Sequence, residues 1–191
     1  MHKEIEIEFK NLVTKEEFYH LLAHFHIQQT DFHTQTNYYY DTPNNYFKDK
    51  KIGFRMRVLA DRNELTIKVP EQQHMMTETT QYISTAERDT ILNTLSFPNV
   101  PFLEQIKDEG DLACIGTMQT NRAQIDFKDG ILFFDHSLYS QTEDFEIEYE
   151  SKDIENGERT FLHLLKTYQI PVRQTDKKIA RLMKYIQSLK G

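Results

Sequence analysis

The stretch Glu4–Lys10, EIEIEFK, sets a carboxylate at every second position and closes on a lysine. Successive side chains of a β-strand point to opposite faces, so Ile5, Ile7 and Phe9 share one face while Glu4, Glu6, Glu8 and Lys10 share the other. A helix would scatter the same apolar residues around its axis, and β-branched isoleucine favours a pleated surface. The segment therefore reads as a strand with one apolar and one acidic face. Two surroundings suit such a face. It can be the solvated outside of an edge strand, where glutamates two apart repel weakly, or it can hold a cation between its carboxylates.

The same alternation recurs along the chain. In GFRMRV (53–58), Phe54, Met56 and Val58 alternate with Arg55 and Arg57; in ELTIKV (64–69), Leu65, Ile67 and Val69 alternate with Thr66 and Lys68. NRAQID (121–126) sets Arg122, Gln124 and Asp126 against Ala123 and Ile125, and FEIEYE (145–150) sets Glu146, Glu148 and Glu150 against Phe145, Ile147 and Tyr149. A solvated sheet mixes both signs on its outer face, because like charges directly paired are unfavourable. Here each strand carries mostly one sign, with acidic strands at the two ends of the chain and basic ones between. If the sheet closes, the charged faces point inwards and the apolar faces pack outwards under helices, the inverse of an ordinary barrel.

Isolated buried charges cost several kcal/mol each unless paired or metal-bound, so a lumen of this kind needs a ligand. Clustered carboxylate oxygens are hard ligands suited to Mg2+ or Mn2+, and guanidinium forks suit phosphate oxygens. A linear polyphosphate with divalent metal satisfies both walls at once.

The rest of the sequence bounds this reading. A chain of 191 residues suits one domain, 1–191, and a hydrophobic fraction of 38% with 13 Phe and 10 Tyr argues for a folded core. The N-terminus is charged from its third residue and no apolar run approaches a signal sequence or a membrane span, so a cytoplasmic protein with no membrane partner is expected. The single cysteine, Cys114, excludes an internal disulfide and suits packing better than catalysis. The net charge of −7 repels polyanions on average, so no nucleic-acid partner is expected and any phosphate site must come from locally concentrated Lys and Arg.

Helical segments are expected at TKEEFYHLLAHF (14–25), with Thr14 as N-cap, Glu17 as its capping-box partner and a stripe of Phe18, Leu21, Leu22 and Phe25. Others are STAERDTILNTL (84–95), the shorter FLEQIKDEG (102–110), IENGERTFLHLLKTY (154–168) and TDKKIARLMKYIQSLK (175–190). Strands are expected over IQQTDFHTQTNYYYD (27–41), running into a turn at DTPNN, and over IGFRMRVLA, NELTIKV, TTQYIS, ACIGTMQTNRAQIDF, ILFFDHSLY and FEIEYES. About eight strands with helices at the joints give an α+β class dominated by antiparallel sheet. His20 and His24 stand at i and i+4 but lack the glutamate of HExxH, so a solvated helix face is the better reading. The Tyr38–Tyr40 run reads as strand packing.

At these residues the chain resembles the CYTH superfamily, the triphosphate tunnel metalloenzymes. The ExExK signature is matched by Glu6, Glu8 and Lys10. In order after it come YYDT (39–42), the RxR of Arg55 and Arg57, Lys68, Arg122, Asp135, the ExE of Glu146 and Glu148, and KKIAR, which is similar to the family's SKxxR element and points to Lys178 and Arg181. The resemblance runs over nearly the whole chain, and the ordered set is far more specific than ExExK alone. It implies a closed eight-stranded antiparallel tunnel with a charged interior, flanked by helices, that binds a triphosphate and divalent metal. Members act as inorganic, thiamine or RNA triphosphatases or as class IV adenylyl cyclases, and a short chain of this kind looks most like the bacterial stand-alone members.

By that resemblance Glu6, Glu8, Asp135, Glu146 and Glu148, with Glu150 as a further candidate, are expected to hold Mg2+ or Mn2+. Lys10, Arg55, Arg57, Lys68, Arg122, Lys178 and Arg181 are expected to bind the triphosphate, and Glu6, Glu8, Lys10 and Glu148 to serve catalysis. The expected reaction is hydrolysis of a small triphosphate, most simply inorganic triphosphate, by a monomer or homodimer. Cyclisation of ATP, and polyphosphate or RNA binding without catalysis, are the alternatives. Two departures stand out: Thr120 precedes Arg122 where many members have a KxR pair, and Lys177 stands where the family usually has serine. Three residues also have plain readings: Asp135 fits a turn at DHS, and Lys178 and Arg181 fit an exposed helix face.

Overall fold

The acidic alternation that opens the chain continues beyond the motif, and β1 spans His2–Val13. Chain direction then reverses through Thr14, whose side chain accepts from the Glu17 amide while the Glu17 carboxylate accepts from the Thr14 amide at 2.7 Å, so α1 runs Lys15–His24 with the expected capping box. The computed structural model describes residues 1–104, 106 and 109–189.

The strand expected from residue 27 begins only at β2, His33–Asp41. The polar segment before it satisfies its own backbone, since the Asp31 carboxylate accepts from the Gln28 amide at 2.7 Å and holds a 3₁₀ turn at Gln29–Asp31. At DTPNN the turn leads into a short helix, α2 (Tyr46–Asp49), capped by the buried Asp41 carboxylate, which accepts from the amides of Thr42, Phe47 and Lys48. Then follow β3 (Gly53–Val58), β4 (Asn63–Gln72) and β5 (Met75–Ile83), the last starting four residues before the expected TTQYIS. After β5, Ser84 and Glu87 form a second capping box for α3 (Thr85–Thr94), and α4 is a single turn at Pro101–Glu104. The remainder of the helix expected over 102–110 includes residues 105, 107 and 108, which lie outside the described residues. The chain finishes with β6 (Ala113–Phe127), β7 (Gly130–Tyr139), β8 (Thr142–Ser151), α5 (Ile154–Thr167) and α6 (Lys178–Ser188).

The eight strands close into a barrel in the order β1-β5-β4-β3-β2-β6-β7-β8, with every neighbour antiparallel. Opposed residues share a face, so register fixes which side chains look inwards. Lys10 opposes Glu148, Glu148 opposes Phe133, Asp135 opposes Glu146 and Arg122, Asn37 opposes Arg57, Tyr39 and Thr66 both oppose Arg55, and Lys68 opposes Glu78. Every charged row of the sequence thus falls on the inner face.

The apolar faces look outwards. Phe9, Phe134, Ile147 and Tyr149 pack under α1 and α5 against Phe18, Leu21, Phe161, Leu164 and Leu165, while Phe54, Met56 and Leu65 pack with Tyr40, Phe47, Ile91 and Phe102. Burying each such side chain is worth about 1.5–3 kcal/mol. Ile5 lies on the same face as Phe9 but is 65% exposed, because it sits at the strand end beyond this cover.

The C-terminal helix breaks the pattern. Leu182 of α6 packs with Tyr39, Met118 and Tyr139, residues on the inner face, and a Cβ at Gly116 would stand 2.8 Å from its side chain. The helix therefore fills one end of the barrel, and Gly116 lets it approach.

Candidate active site

Closing the sheet brings ten candidate residues to one cavity of about 130 Å³, lined by Glu6, Glu8, Lys10, Arg55, Arg57, Lys68, Arg122, Glu148, Glu150 and Lys178. Glu78, Tyr39 and Phe133 complete its inner wall. Separate acidic and basic walls were the simplest expectation from the strand signs. Instead the side chains reach across and interleave: Lys68 contacts Glu6 and lies 2.8 Å from Glu78, Arg55 lies 3.6 Å from Glu78, and Lys10 contacts Glu8 and stands 3.5 Å from Glu148.

Beneath the cavity lies a denser cluster. Asp135, Glu146 and Glu148 each offer a carboxylate oxygen within 4.8 Å of the others, and Asp135 and Glu146 are fully buried. Lys178, at the start of α6, puts its Nζ 2.8 Å from Asp135, 2.6 Å from Glu146 and 2.5 Å from Glu148. Arg122 forks onto Asp135 at 2.7 and 2.5 Å, reaches Glu148 at 2.5 Å, and is braced from behind by the Phe133 ring at 4.4 Å. Burial opposes ionisation of Glu148, yet Lys178, Lys10 and Arg122 hold it well below the usual carboxylate range. Burial likewise opposes the charge on Lys178, and Asp135, Glu146 and Glu148 override it and raise its pKa.

Arg181 differs from the expectation of a phosphate ligand. Its guanidinium donates to Asp144 at 2.9 Å, to Glu146 at 2.8 Å and to the Asp176 carbonyl at 2.6 Å, and it does not line the cavity. It fixes Glu146 and ties α6 to β8. Thr120 is also explained: it is fully buried and its hydroxyl lies 3.2 Å from that of Ser137, so a neutral pair occupies this inward position.

Of the ten candidate residues that line the cavity, two form no ion pair among the described residues. Arg57 donates its Nε to Asn37 at 2.9 Å and forms no ion pair; burial, then Arg55 and Arg122, push its pKa below the usual guanidinium range. Glu150 also lacks an ion pair, and burial followed by Glu6 pushes its carboxyl up to about 7. The cavity thus presents an unmatched cation and an unmatched acid.

Sequence reasoning missed Glu78, Asn37 and Phe133. Glu78 fell one residue before the expected strand TTQYIS; it shares the face of Met76 and Thr80, which oppose the inward-facing Glu6 and Thr66. Phe133 sits in the run LFF, whose apolar residues fall on both faces. His20 and His24 are exposed, and His24 packs against Tyr168 with centroids 4.7 Å apart.

The CYTH domain family matches residues 4–183, nearly all of the barrel and most of the helix that fills its end. The chain belongs to the CYTH family. A relative from Bacillus subtilis (strain 168), described as "Putative triphosphatase YjbK", is 36% identical over 185 residues, covering 95% of each chain. The crystal structure of a protein from Bacillus halodurans, described as a "putative adenylate cyclase", superposes with a TM-score of 0.89 at 37% identity over 95% of this chain and 98% of that one. A Hippeastrum protein described as a "putative adenylyl cyclase" that "reveals a dominant triphophatase activity" shares the fold, with a TM-score of 0.74 at 21% identity over 95% and 96% of the two chains. Among the described residues of this CYTH chain, no helix is long and apolar enough to cross a membrane.

Proposed function

We propose that the chain is a single-domain, divalent-metal-dependent hydrolase of triphosphate compounds, acting on inorganic triphosphate. The observation that carries this reading is Arg57. A guanidinium enclosed between Arg55 and Arg122, with no carboxylate partner among the described residues, is stabilised by a polyanion in the cavity. The description of the Bacillus subtilis relative as a triphosphatase supports the same substrate class.

The donor set fits a hard dication: Asp135, Glu146 and Glu148 converge within 4.8 Å, and Glu6 and Glu8 face the cavity that Glu148 lines. These residues would hold Mg2+ or Mn2+, which when bound supplies charge neutralisation and polarisation of a phosphoryl oxygen. Arg55, Arg57, Lys68 and Lys10 grip the phosphate oxygens, and Arg122, held flat on Phe133, stabilises charge on the transferred group. A cavity glutamate orients the water. Its oxygen bonds to a terminal phosphorus as the bridging P–O bond breaks, leaving phosphate and pyrophosphate. We place the enzyme in the cytoplasm as a monomer or homodimer.

Phosphate release from inorganic triphosphate, ATP and thiamine triphosphate, each with Mg2+, Mn2+ and Ca2+ and with a chelator, tests the reading. Fastest release from inorganic triphosphate, abolished by the chelator, is expected. The relative described as an adenylate cyclase carries a second reading, in which the 3′-hydroxyl of ATP is the nucleophile. Cyclic AMP and pyrophosphate as the products from ATP would establish it in place of hydrolysis.

A further inference from the structure

Lys177 and Lys178 are neighbours at the start of α6 and meet opposite surroundings. Lys178 is caged by three carboxylates. Lys177 has none: among the described residues its Nζ donates only to the Lys51 carbonyl, at 3.3 Å. It is nevertheless no free surface lysine. It is half-buried, and it lines both the inner cavity and the wider groove of about 1200 Å³ outside it, so it stands at the junction of the two.

The charged groups that act on it most strongly are Lys10, Glu8, Lys68 and Lys51, and Lys10 already contacts Glu8; the other carboxylates of the cavity that form ion pairs, Glu6, Glu78 and Glu148, are paired with Lys68, Arg55, Arg122 and Lys178. Burial and then Lys10 draw the Lys177 ammonium below the usual lysine range. A half-buried ammonium crowded by three other cations is poorly placed in the free protein and well placed for an anion emerging from the cavity. A serine, the residue usual at this point of the family's element, would offer no charge there.

We propose that Lys177 is a specificity-determining residue that binds the outer phosphate of an inorganic polyphosphate at the tunnel mouth. The inference rests on the triphosphatase reading above. Each end phosphate of inorganic triphosphate carries up to two ionised oxygens; in a nucleoside triphosphate one of the end phosphates is esterified to the sugar and keeps a single ionised oxygen, so Lys177 meets less counter-charge and a bulky substituent beside it. Selectivity follows from the difference between the two.

The test is calorimetric binding of inorganic triphosphate and of ATP, without divalent metal, to wild type, Lys177→Ser, Lys177→Arg and Lys184→Ser. The last removes the same charge from an exposed position of α6 paired with Asp176. Lys177→Ser should weaken inorganic triphosphate about tenfold and ATP less than about twofold, Lys177→Arg should restore most of the difference, and Lys184→Ser should change neither. In turnover assays kcat/KM for inorganic triphosphate should fall in parallel while that for ATP holds. Equal losses for both ligands, or unchanged affinities in Lys177→Ser, would overturn the proposal while leaving the triphosphatase reading intact. A wild type that binds neither ligand and releases no phosphate from either in Mg2+ or Mn2+ would remove that reading and this one with it.

Discussion

Arg57 and Glu150 face one cavity with opposite unmet charges, and each makes its own prediction. For Arg57, which burial and two neighbouring guanidiniums disfavour, Arg57→Met should raise the stability of the ligand-free protein by about 1 kcal/mol while weakening triphosphate binding about a hundredfold. Chemical denaturation and calorimetry read the two effects separately, and a variant that loses stability without losing affinity would contradict the account. For Glu150, the folded carboxyl titrates near 7 because burial and Glu6 oppose its charge, whereas the unfolded chain's titrates near 4.5. The folded state therefore binds the proton more tightly, and this contribution to stability is full below about 4.5 and lost as pH rises through about 7. In metal-free buffer Glu150→Gln should raise the melting temperature at pH 8, by about 1 kcal/mol of stability after screening by solvent, and leave it unchanged at pH 4.5. Equal shifts at both pH values would show that Glu150 does not feel this field.

At the scale of elements, α6 contributes more than a cover. Lys178 places an ammonium where three carboxylates converge, so Lys178→Met should destabilise the protein by about 3 kcal/mol by leaving them under-compensated. Because the same oxygens suit a dication, millimolar Mg2+ or Mn2+ should restore more of the melting temperature in the variant than it adds to wild type. No differential rescue would argue against metal affinity in this cluster. The sequence made the amphipathic face of α6 plain through Ile179, Leu182 and Ile186, but not its destination. Ordinary periodicity places such a face on the outside of a sheet, and only Gly116, whose missing Cβ admits Leu182, marks an inner face open to a helix. The boundaries of β2 and β5 were hidden for a different reason: Asp31 diverts its segment into a turn through its own side chain, and the start of β5 is set by pairing of Met75 with Ile7 and Gln72. By contrast Thr14 with Glu17 and Ser84 with Glu87 declared their helices locally, because each cap is completed within four residues.

Over the whole molecule, closure of the barrel was legible because its two halves of evidence were periodic: apolar residues on one parity, charges on the other, in strand after strand. Period-two alternation records which residues share a face, and a closed sheet with charges on one shared face leaves them the interior. Pairing partners were not legible. That Lys68 meets Glu78 and Arg122 forks onto Asp135 depends on hairpin register, that Lys68 also meets Glu6 depends on closure of the barrel, and that Arg181 holds Glu146 depends on where α6 seats. The central claim is that this shared interior is a triphosphate hydrolase site organised around Glu148, which Lys10, Arg122 and Lys178 all contact. The most direct measurement is metal-dependent phosphate release from inorganic triphosphate by Glu148→Gln, with folding confirmed by circular dichroism. The account predicts a loss of at least about a hundredfold in kcat with the native spectrum retained; a folded variant with undiminished, metal-dependent turnover would contradict it.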